Sequence, residues 1–149
     1  MYQRILVAVD GSPTSDLALH EAIQLAKALK SQLRLVHAMD AIGSGWYTAG
    51  YSDPTEMWEL MTKIGHDILA KAMATVTEAK IMVDTKLVET SSLGLRIPEV
   101  INDEANTWPA DLIVLGTHGR RGLSNVLLGS VAEGIVRIAD KPVLLIRGK

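Results

Sequence analysis

Three glycines and a serine near the carboxyl end of the sequence have the types and spacing of an anion-binding backbone. Two residues separate Gly116 from Gly119, and nine more separate Gly119 from the pair Gly129 and Ser130. Because glycine lacks a Cβ atom, its backbone amide can approach a ligand closely and its φ angle can be positive. Ser130 opens a predicted helix, whose unpaired amides and positive dipole attract anions. The predicted chemistry is therefore phosphate binding by main-chain amides.

The spacing differs from that of two common nucleotide-binding loops. A Walker A loop carries a lysine before its Ser or Thr, whereas Gly129 is followed directly by Ser130. The dinucleotide-binding fingerprint is Gly-x-Gly-x-x-Gly after the first strand, whereas Gly116, Gly119 and Gly122 are evenly spaced after a late strand. The loop therefore belongs to neither class.

Five apolar runs predict β-strands, and stretches of helical periodicity lie between them. The predicted strands are Ile5 to Val9, Gln32 to Ala38, Lys80 to Val88, Asp111 to Leu115 and Val143 to Arg147. The predicted helices are Pro13 to about Lys30, 54 to 79, Pro98 to about Asn106, and Ser130 to Ala139. This alternation predicts a doubly wound α/β fold with a parallel sheet and helices on both faces. Ligands of such sheets bind beyond the carboxyl ends of the strands, where the winding direction reverses.

Length and composition restrict the function classes. The 149 residues fit a single domain, 1–149, and a net charge of -2 provides no basic field for nucleic acid or an anionic membrane. The chain contains no cysteine, which excludes disulfides and thiol chemistry and is typical of a reducing cytoplasm. The four histidines are dispersed, which disfavours a transition-metal site. With neither a signal peptide nor an apolar run of about 20 residues, we expect a soluble, cytoplasmic protein.

The glycine pattern, together with three other segments, resembles the ATP-binding branch of the universal stress protein family. The motif of that branch is Gly, two residues, Gly, nine residues, Gly, then Ser or Thr, and every fixed position is present here. Segments 1–12, 35–38 and 141–147 also look like that family, so the resemblance covers nearly all of the chain. It implies an adenine nucleotide alpha hydrolase-like sheet with strand order 3-2-1-4-5, and ATP as the ligand, accompanied by Mg²⁺.

The resemblance also implies roles for residues at the ends of the first two strands. Asp10 would accept hydrogen bonds from the ribose or adenine, or help to hold a divalent cation. Its alternative role is an Asx turn with Gly11 that joins strand to helix. Ala38 would read the adenine edge through its backbone, and Ala8 would only shape the pocket.

The implied phosphate site lies farther along the chain. Gly129, Ser130 and Val131 would offer amides to the phosphates, although the Ser130 hydroxyl could instead cap its own helix. Thr117, Arg120 and Arg121 line or flank the loop. The full set of implied nucleotide-binding residues is Ala8, Val9, Asp10, Ala38, Leu115, Gly116, Thr117, Gly119, Arg120, Gly129, Ser130 and Val131.

The motif predicts nucleotide binding more strongly than nucleotide turnover. It supplies a phosphate cradle but no evident general base, since His118 has no catalytic partner in the motif. We therefore predict a nucleotide-dependent stress-response module whose hydrolysis of ATP is slow or needs a partner. The alternatives are a small nucleotide hydrolase or adenylyl-transfer domain, an AMP or ADP sensor, and a structural dimer that binds no nucleotide.

Two further expectations concern assembly and a long connection. The apolar strand Val143 to Arg147 would leave an unpaired edge, and the family pairs this last strand, so we expect a homodimer. The connection Met39 to Asp53 is long for a compact domain and is either a lid over the nucleotide or the neighbouring subunit, or a disordered surface loop.

Overall fold

Five parallel strands form one sheet in the order β3-β2-β1-β4-β5 in the computed structural model, which describes residues 1–40, 53–90, 95–118 and 128–148. The strands are β1 (Arg4–Ala8), β2 (Gln32–Met39), β3 (Val83–Glu89), β4 (Leu112–Gly116) and β5 (Val143–Ile146). The helices are α1 (Pro13–Leu29), α2 (Pro54–Glu78), α3 (Ile97–Thr107) and α4 (Ser130–Ile138). The doubly wound α/β class and the implied strand order are therefore confirmed.

Side chains alternate between the two faces of the sheet, as the period of a β-strand requires. Ile5 and Val7 of β1 pack with α1 and α2 in one buried cluster. Leu6 of the same strand packs with α3 and α4 in a second cluster on the opposite face. The central strands are buried on both sides, which explains why they read as continuous apolar runs.

Most predicted boundaries differ from the observed ones by one or two residues, but β3 begins three residues later than predicted. Ala79 caps α2, and Lys80 follows with a φ of 60°, in the left-handed region. The chain therefore turns at Lys80 before it enters the sheet at Val83. No helix of the described ranges is long and apolar enough to cross a bilayer.

An ion-pair cluster fastens α3 to the edge of the sheet. Arg34 on β2 donates two hydrogen bonds to Asp84 on β3, at 2.7 and 2.8 Å, and one to Glu104 on α3, at 2.7 Å. Its guanidinium carbon also lies 4.9 Å from the centre of the Trp108 ring. The hydrogen bond to Asp84 raises the pKa of Arg34, with Glu104 adding to the effect and partial burial opposing it. The residues of this cluster are far apart in the sequence, and the sequence patterns did not predict their contact.

Candidate functional site

The ends of β1, β2 and β4 carry predicted site residues on the face of the sheet that α3 and α4 cover. Ala8 and Ala38 come two residues after Leu6 and Val36 and lie on the same face of the sheet. The large side chains of the core are therefore followed by methyl groups at the carboxyl edge. Both alanines are half-buried and pack against the same cluster as Leu115 and Val131. Four of the twelve implied site residues therefore share one wall of the crevice.

Val9 does not take part in this wall. Its side chain packs with α1 and α2 on the opposite face of the sheet. Its amide donates to the Val36 carbonyl at 2.9 Å, and its carbonyl lies 2.8 Å from Nδ1 of His37. Because a carbonyl only accepts, His37 holds its proton on Nδ1. Val9 thus serves the connection between β1 and β2, and its inclusion in the site is not supported by its contacts.

Asp10 adopts the Asx turn that was its alternative interpretation. Its Oδ1 accepts the Ser12 amide at 2.9 Å, and its own amide donates to the Ser15 hydroxyl at 3.1 Å. Gly11 at the turn has a φ of 82°, a conformation that is unfavourable for residues other than glycine. The turn holds the half-buried carboxylate of Asp10 at the carboxyl edge, beside the end of β1, so this structural role is compatible with a ligand contact.

Gly116 packs closely against α1, and its approach to a ligand stays a prediction. A Cβ atom at Gly116 would lie 2.7 Å from Cγ2 of Thr14 and 3.2 Å from its carbonyl carbon and oxygen. Gly148, just beyond β5, is equally close to Thr14, with a distance of 2.7 Å to Oγ1. The first turn of α1 therefore packs, through Thr14, between the end of β4 and the segment after β5. No sequence signal indicated this role of Thr14.

Gly129 lies close to Thr117. Its amide donates to the Thr117 carbonyl at 2.6 Å. A Cβ atom at Gly129 would lie 2.9 Å from the same carbonyl oxygen. Gly129 thus lets the chain pass close to Thr117 and places the start of α4, and its contact with phosphate stays a prediction.

The amides that follow Gly129 form the open end of α4. Gly129 is the N-cap of α4 and has no side chain to accept a hydrogen bond from the first turn. The amides of Ser130 and Val131 precede the first intrahelical hydrogen bond, from Glu133 to the Gly129 carbonyl at 2.9 Å. Ser130 is exposed, and Val131 is half-buried and packs against the same cluster as Ala8 and Ala38. Within the described residues, this helix N-terminus has no side-chain cap and lies next to the wall formed by the strand ends.

Several predicted residues cannot be placed against this geometry. Gly119, Arg120, Arg121 and residues 41–52 of the long connection lie outside the described residues. At the start of the loop, Thr117 is buried, and its Oγ1 lies 3.0 Å from Nδ1 of His118. Within the described ranges, no three or more His, Asp and Glu side chains are grouped to hold a metal ion.

Two cavities are lined by several carboxylates, one of them that of Asp10, and this lining is unsuited to a polyphosphate. One, of about 500 Å³, runs beside β3, where Lys86 is accompanied by three acidic residues, Glu89, Asp103 and Glu104. The other, of about 400 Å³, lies between α1 and α2, and its charged groups include Asp10, Asp16, Asp67 and Lys71. Carboxylates in both would repel phosphate oxygens. The uncapped end of α4 is therefore the better anion site.

Comparison with known proteins agrees with the fold. The model of the Universal stress protein family matches residues 1–147. A universal stress protein of Methanocaldococcus jannaschii is 31% identical over 151 aligned residues, which cover 99% of this chain and 83% of the relative. The chain belongs to the universal stress protein family.

Solved structures of the family have the same fold. A family protein from Burkholderia pseudomallei has a TM-score of 0.76 and 31% identity, covering 97% of this chain and 96% of that chain. A universal stress protein from Archaeoglobus fulgidus was solved in complex with dAMP, with a TM-score of 0.70 and 25% identity, covering 97% and 98% of the two chains.

Proposed function

We propose that this protein is an ATP-binding regulatory module that operates in stress responses in the cytoplasm. The observation that carries the proposal is the N-terminus of α4, which has no side-chain cap, beside the small residues Ala8 and Ala38 at the strand ends. A helix N-terminus binds phosphate through its free amides and its dipole. The relative from Archaeoglobus fulgidus, which binds an adenine nucleotide, supports the same ligand class here.

The nucleotide would extend along the carboxyl edge of the sheet. Ala38 and Ala8 leave room for the adenine, and the backbone near Ala38 offers it polar groups. The carboxylate of Asp10, at the end of β1, would meet the ribose. The amides of Ser130 and Val131 would receive phosphate oxygens, and Gly119 and Arg120 of the glycine motif would complete the cradle. Magnesium would be held mainly by the phosphates, as is usual for this ion.

Binding is better supported than turnover. Fast phosphoryl transfer needs a positioned acceptor or water, a base and cationic groups around the γ-phosphate. Asp10 accepts the Ser12 amide, and His118 lies against the Thr117 hydroxyl. These contacts position both groups for structural roles, so hydrolysis is expected to be slow or dependent on a partner. This distinguishes the module from a small nucleotide hydrolase.

A second candidate is an AMP or ADP sensor. The dAMP of the Archaeoglobus fulgidus relative carries a single phosphate. The amides of one helix turn do not by themselves distinguish a monophosphate from a diphosphate or a triphosphate. Calorimetric titration with ATP, ADP and AMP, each with and without Mg²⁺, separates the candidates. We expect ATP with Mg²⁺ to bind most tightly; tighter binding of AMP or ADP would favour the sensor.

Phosphate release from the purified protein tests the distinction between a regulator and an enzyme. We expect turnover below about 1 s⁻¹, the lower end of ordinary enzyme rates. A faster rate with ATP alone would refute the regulatory module. Mass spectrometry of nucleotide retained through purification would identify the ligand bound in the cell.

We also propose that two copies pair through β5. Leu144 on this outer strand is 37% exposed, and Val136 and Ile138 near the end of α4 are 52% and 38% exposed. An apolar outer strand is prone to pair with another strand, and a two-fold axis allows antiparallel pairing. Light scattering should show a dimer at micromolar concentration, and Leu144→Lys should shift it to monomer. A monomeric parent protein would remove the proposal.

A further inference from the structure

Thr117 joins the outer strand of the sheet to the start of α4 through its main chain. Its amide donates to the Ile146 carbonyl on β5 at 2.9 Å. Its carbonyl accepts the Gly129 amide at 2.6 Å. The residue is only 8% exposed, so both hydrogen bonds are sheltered from water. The two peptide units that flank Thr117 thus bond to β5 and to the start of α4, both of which are distant from Thr117 in sequence.

The path continues into the helix. The Gly129 carbonyl accepts the Glu133 amide at 2.9 Å, which is the first hydrogen bond of α4. Ile146, Thr117, Gly129 and Glu133 therefore form an unbroken series of main-chain hydrogen bonds, which we call the Thr117 relay. A shift of the helix start changes the distance between Gly129 and Thr117 directly.

The surroundings of the relay leave little room for a local adjustment. Thr14 lies 2.7 Å from the Cβ positions of both Gly116, which precedes Thr117, and Gly148, which follows β5. A closely packed region responds to displacement as a unit rather than by deforming at one residue. Movement at Gly129 is therefore expected to reach β5.

We propose that Thr117 is a positioning residue that couples nucleotide occupancy at α4 to the attachment of β5. The inference rests on the proposed function, because the ligand is the nucleotide phosphate at Ser130 and Val131. A phosphate that fixes the first turn of α4 would hold Gly129 against Thr117 and stabilise the hydrogen bond from Thr117 to Ile146. By thermodynamic reciprocity, whatever stabilises β5 also tightens nucleotide binding by the same factor.

Amide hydrogen exchange measured by NMR, with and without saturating ATP and Mg²⁺, tests the coupling. A ligand slows exchange everywhere that exchange needs global unfolding, so the slowing of β5 is compared with that of β3, the opposite outer strand. We expect the amides of 143–146 to slow at least about fivefold more than those of Val83–Glu89, the lower range of allosteric couplings. Equal slowing of the two strands in the saturated protein would overturn the inference.

A pair of glycine variants ties the effect to the relay. Gly129→Ala places a methyl group 2.9 Å from the Thr117 carbonyl oxygen and should separate the two residues. Gly65→Ala on α2 is the matched control, because its methyl group meets Leu87 at 2.7 Å and His37 at 3.0 Å on the other face of the sheet. Because Leu87 lies on β3, the slowing of β5 by the nucleotide is compared in both variants with the slowing of β5 in the parent protein. At nucleotide saturation, Gly129→Ala should lose the part of this slowing that exceeds that of β3 in the parent, and Gly65→Ala should keep it.

The possible failures are distinguishable. Calorimetry on the same samples reports nucleotide binding independently of β5. Binding without extra protection of β5 overturns the coupling and leaves the proposed function intact. No binding of ATP, ADP or AMP overturns both. If Gly129→Ala does not fold, the comparison of β5 with β3 in the parent protein still decides the matter.

Discussion

Two helices begin at the same edge of the sheet, and their first turns differ in a way that identifies the anion site. Helix α1 follows β1, and α4 follows β4, the neighbouring strand. At α1 the Ser12 hydroxyl accepts the Ser15 amide at 3.1 Å, and proline in the first turn removes another donor. The N-cap of α4 is Gly129, which has no side-chain acceptor.

The difference shows that a dipole is not enough to make a binding site. Both helices present a positive end at the carboxyl edge, but α1 satisfies its first amides with its own residues. At α4 the N-cap Gly129 offers the corresponding amides no side-chain acceptor. Capping therefore directs a phosphate to Ser130 and Val131 and away from the first turn of α1.

Substitution of Gly129 should have the largest effect on this distinction. In Gly129→Val the branched side chain would meet the Thr117 carbonyl, 2.9 Å from the Cβ position, and would displace the start of α4. We expect nucleotide affinity to fall at least about 100-fold, or roughly 2.7 kcal/mol. The melting temperature should fall as well, because the Gly129 to Thr117 hydrogen bond is lost. Calorimetry and thermal denaturation measure the two effects; affinity within threefold of the parent would contradict the role assigned to α4.

Asp10 allows its turn and its charge to be separated. Asp10→Asn keeps an oxygen to accept the Ser12 amide but removes the negative charge. We expect about tenfold weaker nucleotide binding, or roughly 1.4 kcal/mol, with little change in melting temperature. Asp10→Ala is the companion variant and should lose stability as well as affinity. Unchanged affinity in Asp10→Asn would restrict Asp10 to its Asx turn.

The smallest effect on affinity is expected at α1. Ser12→Ala removes the cap of α1 and should lower the free energy of unfolding by about 1 kcal/mol, or about 3 °C in melting temperature. Nucleotide affinity should stay within twofold of the parent, since no phosphate is assigned to this helix. A large loss of nucleotide affinity in Ser12→Ala would show that the ligand contacts the first turns of both helices.

Local patterns were sufficient to predict the elements and their class. Apolar runs identified the strands, and Ser12 with Pro13 identified the start of α1, because caps and periodicity are short-range signals. The strand order came from the family resemblance, since alternation alone does not specify which strands are neighbours.

The roles of the glycines could not be predicted in the same way. Gly116 and Gly129 were assigned to phosphate approach, whereas their Cβ positions face Thr14 and Thr117. Both contacts join segments that are distant in sequence, so only the fold reveals them. The ion pairs of Arg34 with Asp84 and Glu104 were missed for the same reason.

Titration of the ¹⁵N-labelled protein with ATP and Mg²⁺, followed through its amide resonances, tests the assignment of the site most directly. We predict saturable shifts that are largest at Ser130 and Val131, with smaller shifts near Ala8 and Ala38 and almost none in the first turn of α1. Shifts centred on α1 or on the cavity beside β3, or no shifts at millimolar nucleotide, would contradict the binding of phosphate at α4.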